Sequence, residues 1–141
     1  MAEQAEGADS GALVFVYGSL KQGMANHHEL GSAIELGRAS LQGLALYNLG
    51  PFPMAVACSE PGVVLHGELY RLSSSQLAAL DRFEGTPRLY ERLRWPLADG
   101  LHCWVYVGRS RQVRHVARIP SGSWSGPSLT EGRQRRHERL Q

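Results

Sequence analysis

The apolar segments of this chain are short and broken at close intervals by glycine and proline, and only one of them carries clear helical start and stop signals. Leu13-Val14-Phe15-Val16-Tyr17 ends at Gly18, and Leu41 to Tyr47 alternates loosely as far as the breaker Gly50-Pro51-Phe52-Pro53. Met54 to Cys58 and Val63 to Leu72 flank Pro61-Gly62, and Arg92 to Leu97 and Leu101 to Val107 flank Asp99-Gly100. Runs of this length, rich in β-branched and aromatic residues and bounded by turn formers, read as strands, and the last two pairs read as hairpins. The stretch opening at Ser73 is different. Ser73 and Gln76 make a capping box, Leu77, Leu80 and Phe83 recur at helical spacing, and Gly85 and Pro87 supply the stop. Asn26 is placed to cap a second, short helix through Glu29 and Leu30, closed by Gly31. Short strands around one well-capped helix, without regular strand-helix alternation, predict an α+β domain with a small curved or barrel-like sheet.

A length of 141 residues suits one domain, which at this size buries roughly two-thirds of its unfolded surface. Residues 12–120 read as that domain. Before it, residues 1–11 are acidic and small, without the basic-then-apolar order of a signal peptide, and predict a disordered leader on a cytoplasmic protein. After it, residues 121–141 combine a Ser/Gly/Pro loop, from which Trp124 is placed to dock on the body, with a basic tail read as disordered. No apolar run reaches the ~20 residues of a membrane span. Cys58 and Cys103 sit in apolar stretches and read as small buried hydrophobes. The tail's Arg133, Arg135, Arg136 and Arg139 are diluted by Glu131 and Glu138 with no aromatic among them, so a solvated tail is favoured over a nucleic-acid site. Oligomeric state is not written in the sequence.

One carboxylate stands on an apolar helix face. At about 100° per residue, Glu84 shares the side of Leu77 and Leu80, while Arg82 points away. Burial disfavours the ionised form, and the helix C-terminus adds to that. Two readings remain open: a proton carrier with a near-neutral pKa, or a frayed last-turn residue pairing with Arg88 or Arg92. Asp81 reads as structural. Tyr90, beyond Gly85-Thr86-Pro87, either brings its phenol near Glu84 or packs half-buried in the core.

The turn Tyr17-Gly18-Ser19-Leu20-Lys21 is the other candidate. A glycine at a strand end allows a sharp turn that leaves consecutive N–H groups in one concavity, a cradle for a carboxylate or oxyanion. It lacks the pattern of a phosphate loop or a dinucleotide fingerprint, and Ser19 has only one of the two glycines of a nucleophile elbow. Adjacent His27 and His28 lack the spacing of a zinc site, so no metal is expected there.

Val16-Tyr17-Gly18-Ser19-Leu20-Lys21-Gln22-Gly23 and Asn26-His27, followed by Gly67-Glu68-Leu69-Tyr70, Leu80-Asp81-Arg82-Phe83-Glu84-Gly85 and Leu89-Tyr90-Glu91-Arg92, resemble the gamma-glutamylcyclotransferase-like family. The resemblance runs from about Leu13 to Val107 and is closest to the gamma-glutamylamine cyclotransferase branch; Ser19 stands where many relatives carry threonine. It implies a small mixed β-barrel flanked by helices. It also implies an enzyme that converts a small gamma-glutamyl amine or peptide to 5-oxoproline and a free amine and requires no metal or organic cofactor. Glu84 would be the catalytic acid/base, and Tyr17, Gly18, Ser19 and Leu20, with Tyr90, would hold the substrate. The alternative is a binding module for a small molecule or protein that keeps the same cavity without turnover.

Overall fold

The structure, a computed structural model, describes residues 11–127. Most of the expected leader and the arginine tail lie outside the described residues. Eight strands, β1 (Ala12–Val16), β2 (Ile34–Gln42), β3 (Leu44–Asn48), β4 (Pro53–Ala57), β5 (Val64–Leu72), β6 (Glu91–Pro96), β7 (His102–Val107) and β8 (Arg118–Ile119), accompany one α-helix, α1 (Ser74–Phe83). Two 3₁₀ turns, His27–Leu30 and Ser110–Val113, complete the regular elements. Among the described residues no helix is long and apolar enough to cross a membrane.

The strands form a five-stranded sheet in the order β2-β5-β1-β7-β6 and a three-stranded sheet in the order β4-β3-β8. β1 lies at the centre of the larger sheet, antiparallel to β5 and parallel to β7. Its side chains alternate between two cores, as the strand period requires. Val14 and Val16 pack with Tyr70, Leu72, Leu80 and Tyr106, while Phe15 and Tyr17 pack with Leu44, Leu46, Leu65 and Val105. This is why the run reads as continuously apolar.

The expected β-barrel flanked by helices is not formed: the sheets do not close, and α1 is the one α-helix among the described residues. The reason lies at Gly43. The predicted strand from Leu41 to Tyr47 is interrupted there by a backbone at φ 86°, which diverts the chain out of the larger sheet. Leu44 to Asn48 pair instead with β4. The edge strands β2 and β6 are therefore left without a ladder between them, and a side chain bridges their ends, the Trp95 indole N–H donating to the Gln42 carbonyl at 2.7 Å. The expected hairpin between Met54–Cys58 and Val63–Leu72 is also absent. β5 is occupied on one edge by β2 and on the other by β1, so β4 pairs with β3 across the Gly50-Pro51 turn. The second expected hairpin, β6 with β7, forms in register from Glu91↔Val107 to Pro96↔His102.

The capping box is present in full: the Gln76 amide donates to Ser73 Oγ at 3.2 Å and the Ser73 amide to Gln76 Oε1 at 2.7 Å. The helix then ends at Gly85, whose φ of 68° continues no right-handed turn. Asn26 does not cap the first 3₁₀ turn; its amide donates to Ser19 Oγ at 2.9 Å, binding that turn to the end of β1. Trp124 is buried in the second core, and its carbonyl accepts from the Lys21 ammonium.

Helix α1 leaves the cap with its first-turn amide satisfied by a side chain, so Ser73→Ala is expected to lower stability by about 1 kcal/mol. Urea unfolding at neutral pH measures this, and an unchanged midpoint would mean that the cap contributes nothing to the fold.

Candidate active site

Beyond β1 the chain folds back on itself in a way that divides its carbonyls from its amides. The Gly18 carbonyl accepts from the Lys21 amide at 3.1 Å, the Ser19 carbonyl from the Asn26 amide at 2.8 Å, and the Leu20 carbonyl lies 2.9 Å from His27 Nδ1. The amides of Gly18, Ser19 and Leu20 find no acceptor among the described residues. All three residues line a cavity of about 190 Å³. Unpaired backbone donors beside a cavity are groups suited to accept a carboxylate or an oxyanion. The reason for glycine is different from the one expected: Gly18 has no left-handed backbone, but a Cβ there would lie 2.7 Å from Pro53 Cγ. The residue is small because β4 passes against it.

Glu84 enters the same cavity from the end of α1. Its amide continues the helix by donating to the Leu80 carbonyl at 2.8 Å, which fixes the residue at the last turn without fraying. The two arginines considered as partners do not take its carboxylate. Arg92 Nε pairs with Asp81 Oδ1 at 2.8 Å, and no bond joins Arg88 to Glu84. Burial without compensation raises the Glu84 pKa from the ordinary 4.5 to about 7. Asp81, by contrast, is held by Arg92 and by the Tyr106 hydroxyl at 2.7 Å, the structural part expected of it.

Three phenols complete the walls: Tyr17, Tyr90 and Tyr106. Tyr17 donates to the Tyr106 carbonyl at 2.6 Å and accepts from the Ala55 amide at 3.0 Å. Tyr90 donates to the Pro53 carbonyl at 2.7 Å and not to Glu84. Burial, with the Glu84 charge among the effects that add to it, pushes all three phenols up, so they remain protonated donors.

Glu84, Tyr17, Gly18, Ser19, Leu20 and Tyr90, separated by up to 73 positions in the chain, thus line one cavity. Phe52 and Pro53 line it as well, and Trp124 does not. Asn26, Phe83, Leu89 and Tyr106 also line it. Asn26 and Phe83 stood inside the recognised motifs, whereas Tyr106 reaches the site through β7 pairing, which no local pattern reveals. Among the described residues no three His, Cys, Asp or Glu side chains cluster to hold a metal ion.

The family described as gamma-glutamyl cyclotransferase, AIG2-like, matches residues 14–126. A gamma-glutamylcyclotransferase family protein, YtfP of Escherichia coli (strain K12), is 37% identical over 114 residues, which is 79% of this chain and 94% of the relative. The gamma-glutamylaminecyclotransferase of Bos taurus is 36% identical over 111 residues, covering 68% of this chain and 65% of its own. Among solved structures, an AIG2-like protein from Mus musculus superposes with a TM-score of 0.69 at 26% identity, over 81% of this chain and 88% of that one.

The raised pKa has a consequence for stability. Between pH 4.5 and about 7 the folded protein keeps a proton that the unfolded chain releases, so stability falls as pH rises, by about 3 kcal/mol in all once both states are ionised. Glu84→Gln is therefore expected to be more stable than the parent at pH 8, by up to that amount, and little changed at pH 4. Paired urea titrations read this directly. A variant less stable at pH 8 would show that some partner holds the carboxylate.

Proposed function

The chain belongs to the gamma-glutamyl cyclotransferase, AIG2-like family, and from that membership we propose that it converts a small gamma-glutamyl amine or peptide to 5-oxoproline and a free amine. The observation that carries this reading is the meeting, in one cavity, of an unpaired carboxyl with a near-neutral pKa and three unpaired backbone amides. The substrate's α-amine attacks its own γ-carbonyl. A C–N bond forms to close the five-membered ring, the original amide C–N bond breaks, and the leaving nitrogen departs as an amine.

Glu84 takes the proton from the attacking nitrogen and returns it to the leaving one. A carboxyl titrating near neutrality suits transfer in both directions, work that contributes about 10² to 10⁴ in rate. Because the nucleophile is tethered to the carbonyl it attacks, orientation supplies a large part of the acceleration. The amides of Gly18, Ser19 and Leu20 face an anion, and the Ser19 hydroxyl, which accepts from Asn26, keeps its own proton to donate. These donors hold the substrate carboxylate or the developing oxyanion. Tyr17 and Tyr90 spend their hydroxyl protons on backbone carbonyls, so their part is to shape the cavity and exclude water around Glu84.

Formation of 5-oxoproline from a panel of gamma-glutamyl compounds, followed by mass spectrometry, tests the reading. The parent is expected to make product and Glu84→Gln to lose about 10² or more of the rate. Its kcat/KM is expected to rise with pH through about 7, as Glu84 loses its proton, instead of through the ordinary carboxylate range. A variant as fast as the parent would remove Glu84 from the mechanism. A folded parent that binds the panel and turns over none of it would replace the enzyme with a binding module.

A further inference from the structure

The walls of the cavity differ in character. The Gly18 turn contributes backbone amides, whereas Phe52, Phe83 and Leu89 contribute apolar side chains that reach solvent. Phe83 is 40% exposed and Leu89 41%. A residue that both lines a cavity and remains open to water stands at its mouth.

The loop that carries Leu89 is firmly tied down. Arg109 donates to the carbonyls of Arg88 at 3.0 Å and Pro87 at 2.7 Å, Gln112 Nε2 donates to the Leu89 carbonyl at 2.9 Å, and the Leu89 amide donates to the Gly85 carbonyl at 2.9 Å. Phe83 sits in the last turn of α1, directly before Glu84. Phe52 is oriented by its tilted contact with Tyr90, 6.4 Å between ring centroids. The apolar rim is therefore built on fixed backbone, and an apolar group seated on it removes that surface from water, which is favourable.

Charge at the mouth points the same way. No lysine, arginine or histidine lines the cavity. Among the cations on the neighbouring strands and turns, Arg92 is engaged by Asp81 at 2.8 Å and Arg109 by Glu91 at 2.9 Å, while the exposed Arg82 and Arg88 stand outside the cavity lining. The Gly18 cradle offers donors for one carboxylate, and a second carboxylate, carried on the leaving group, would meet an apolar rim and the Glu84 carboxyl without a compensating cation.

Resting on the proposed cyclotransferase reading, we infer that the leaving group is an apolar amine without a carboxylate, seated on Phe52, Phe83 and Leu89. Three compounds separate the possibilities: γ-glutamyl isopentylamide, γ-glutamyl methylamide, which lacks the apolar extension, and γ-glutamylleucine, which is the isopentylamide with one added carboxylate. The isopentylamide is expected to exceed each of the others in kcat/KM by about tenfold or more. In Phe83→Ala and Leu89→Ala the ratio of isopentylamide to methylamide is expected to fall about threefold or more, a change in selectivity that a loss of folded protein does not produce.

Turnover that favours γ-glutamylleucine, particularly if Arg88→Ala abolishes the preference, overturns the inference and leaves the cyclotransferase reading intact. Absence of turnover with every compound overturns that reading instead. The rim is then judged by dissociation constants for the same three compounds on the Glu84→Gln protein, where equal affinity for isopentylamide and methylamide overturns it and about tenfold tighter binding of the isopentylamide supports it.

Discussion

The hydroxyl of Tyr17 holds the two halves of this fold together at the place where they part. It donates to the Tyr106 carbonyl at the end of β7 and accepts from the Ala55 amide in β4, so one buried oxygen ties the larger sheet to the smaller. Leaving either backbone partner unsatisfied in the core costs about 1–3 kcal/mol, which gives the contact more weight than its net stabilisation suggests. The Gly108 amide, donating to the Ala55 carbonyl at 2.8 Å, fixes the same residue of that strand a second time. Because β4 is held this close, Pro53 lies against Gly18 and the Tyr90 hydroxyl reaches the Pro53 carbonyl. The cavity is the space left between these fixed points and the end of α1.

Into that space the fold places a carboxyl without a partner. Helix α1 supplies it through ordinary means: a capping box at the start, Leu80 in the core, and a glycine stop immediately after Glu84. The neighbouring acid, Asp81, receives the Arg92 guanidinium and the Tyr106 hydroxyl, and Glu84 receives neither. Two carboxylates three residues apart are thereby given opposite environments, one satisfied and one desolvated. A destabilised group maintained at the expense of the fold is the usual sign that a site serves something other than stability.

Local signals were legible where the determinant is itself local. The capping box, the Gly85 stop and the Asp99-Gly100 hairpin depend on residues a few positions apart, and each forms as the pattern implies. The closure of the sheets was not legible, because it turns on one backbone angle at Gly43 inside a run that reads as a single strand. Pairing of β4 was misread for a related reason: proximity across Pro61-Gly62 suggested β5 as its neighbour, but both edges of β5 were already taken by strands distant in sequence. At the site, Glu84 was visible as a charge on an apolar face, whereas its freedom from Arg92 depends on Asp81 winning that arginine, a competition between long-range contacts. Gly18 was recognised for its type, but the wall that demands it, Pro53, lies 35 positions away.

A reaction whose nucleophile and electrophile belong to one molecule asks little of a protein beyond holding that molecule folded and moving one proton. On the proposed reading, a small domain with three unpaired backbone amides and one carboxyl titrating near neutrality meets those needs without further catalytic side chains. Backbone amides suit the part that every substrate shares, since their positions are set by the chain and are indifferent to substitution. Side chains suit the part that varies, and here Phe52, Phe83 and Leu89 are carried by three separate segments: the β3–β4 turn, the end of α1 and the loop before β6. On the proposed reading, chemistry and selectivity fall to different kinds of atom within one cavity, and a change in the rim would alter preference without disturbing the group that transfers the proton.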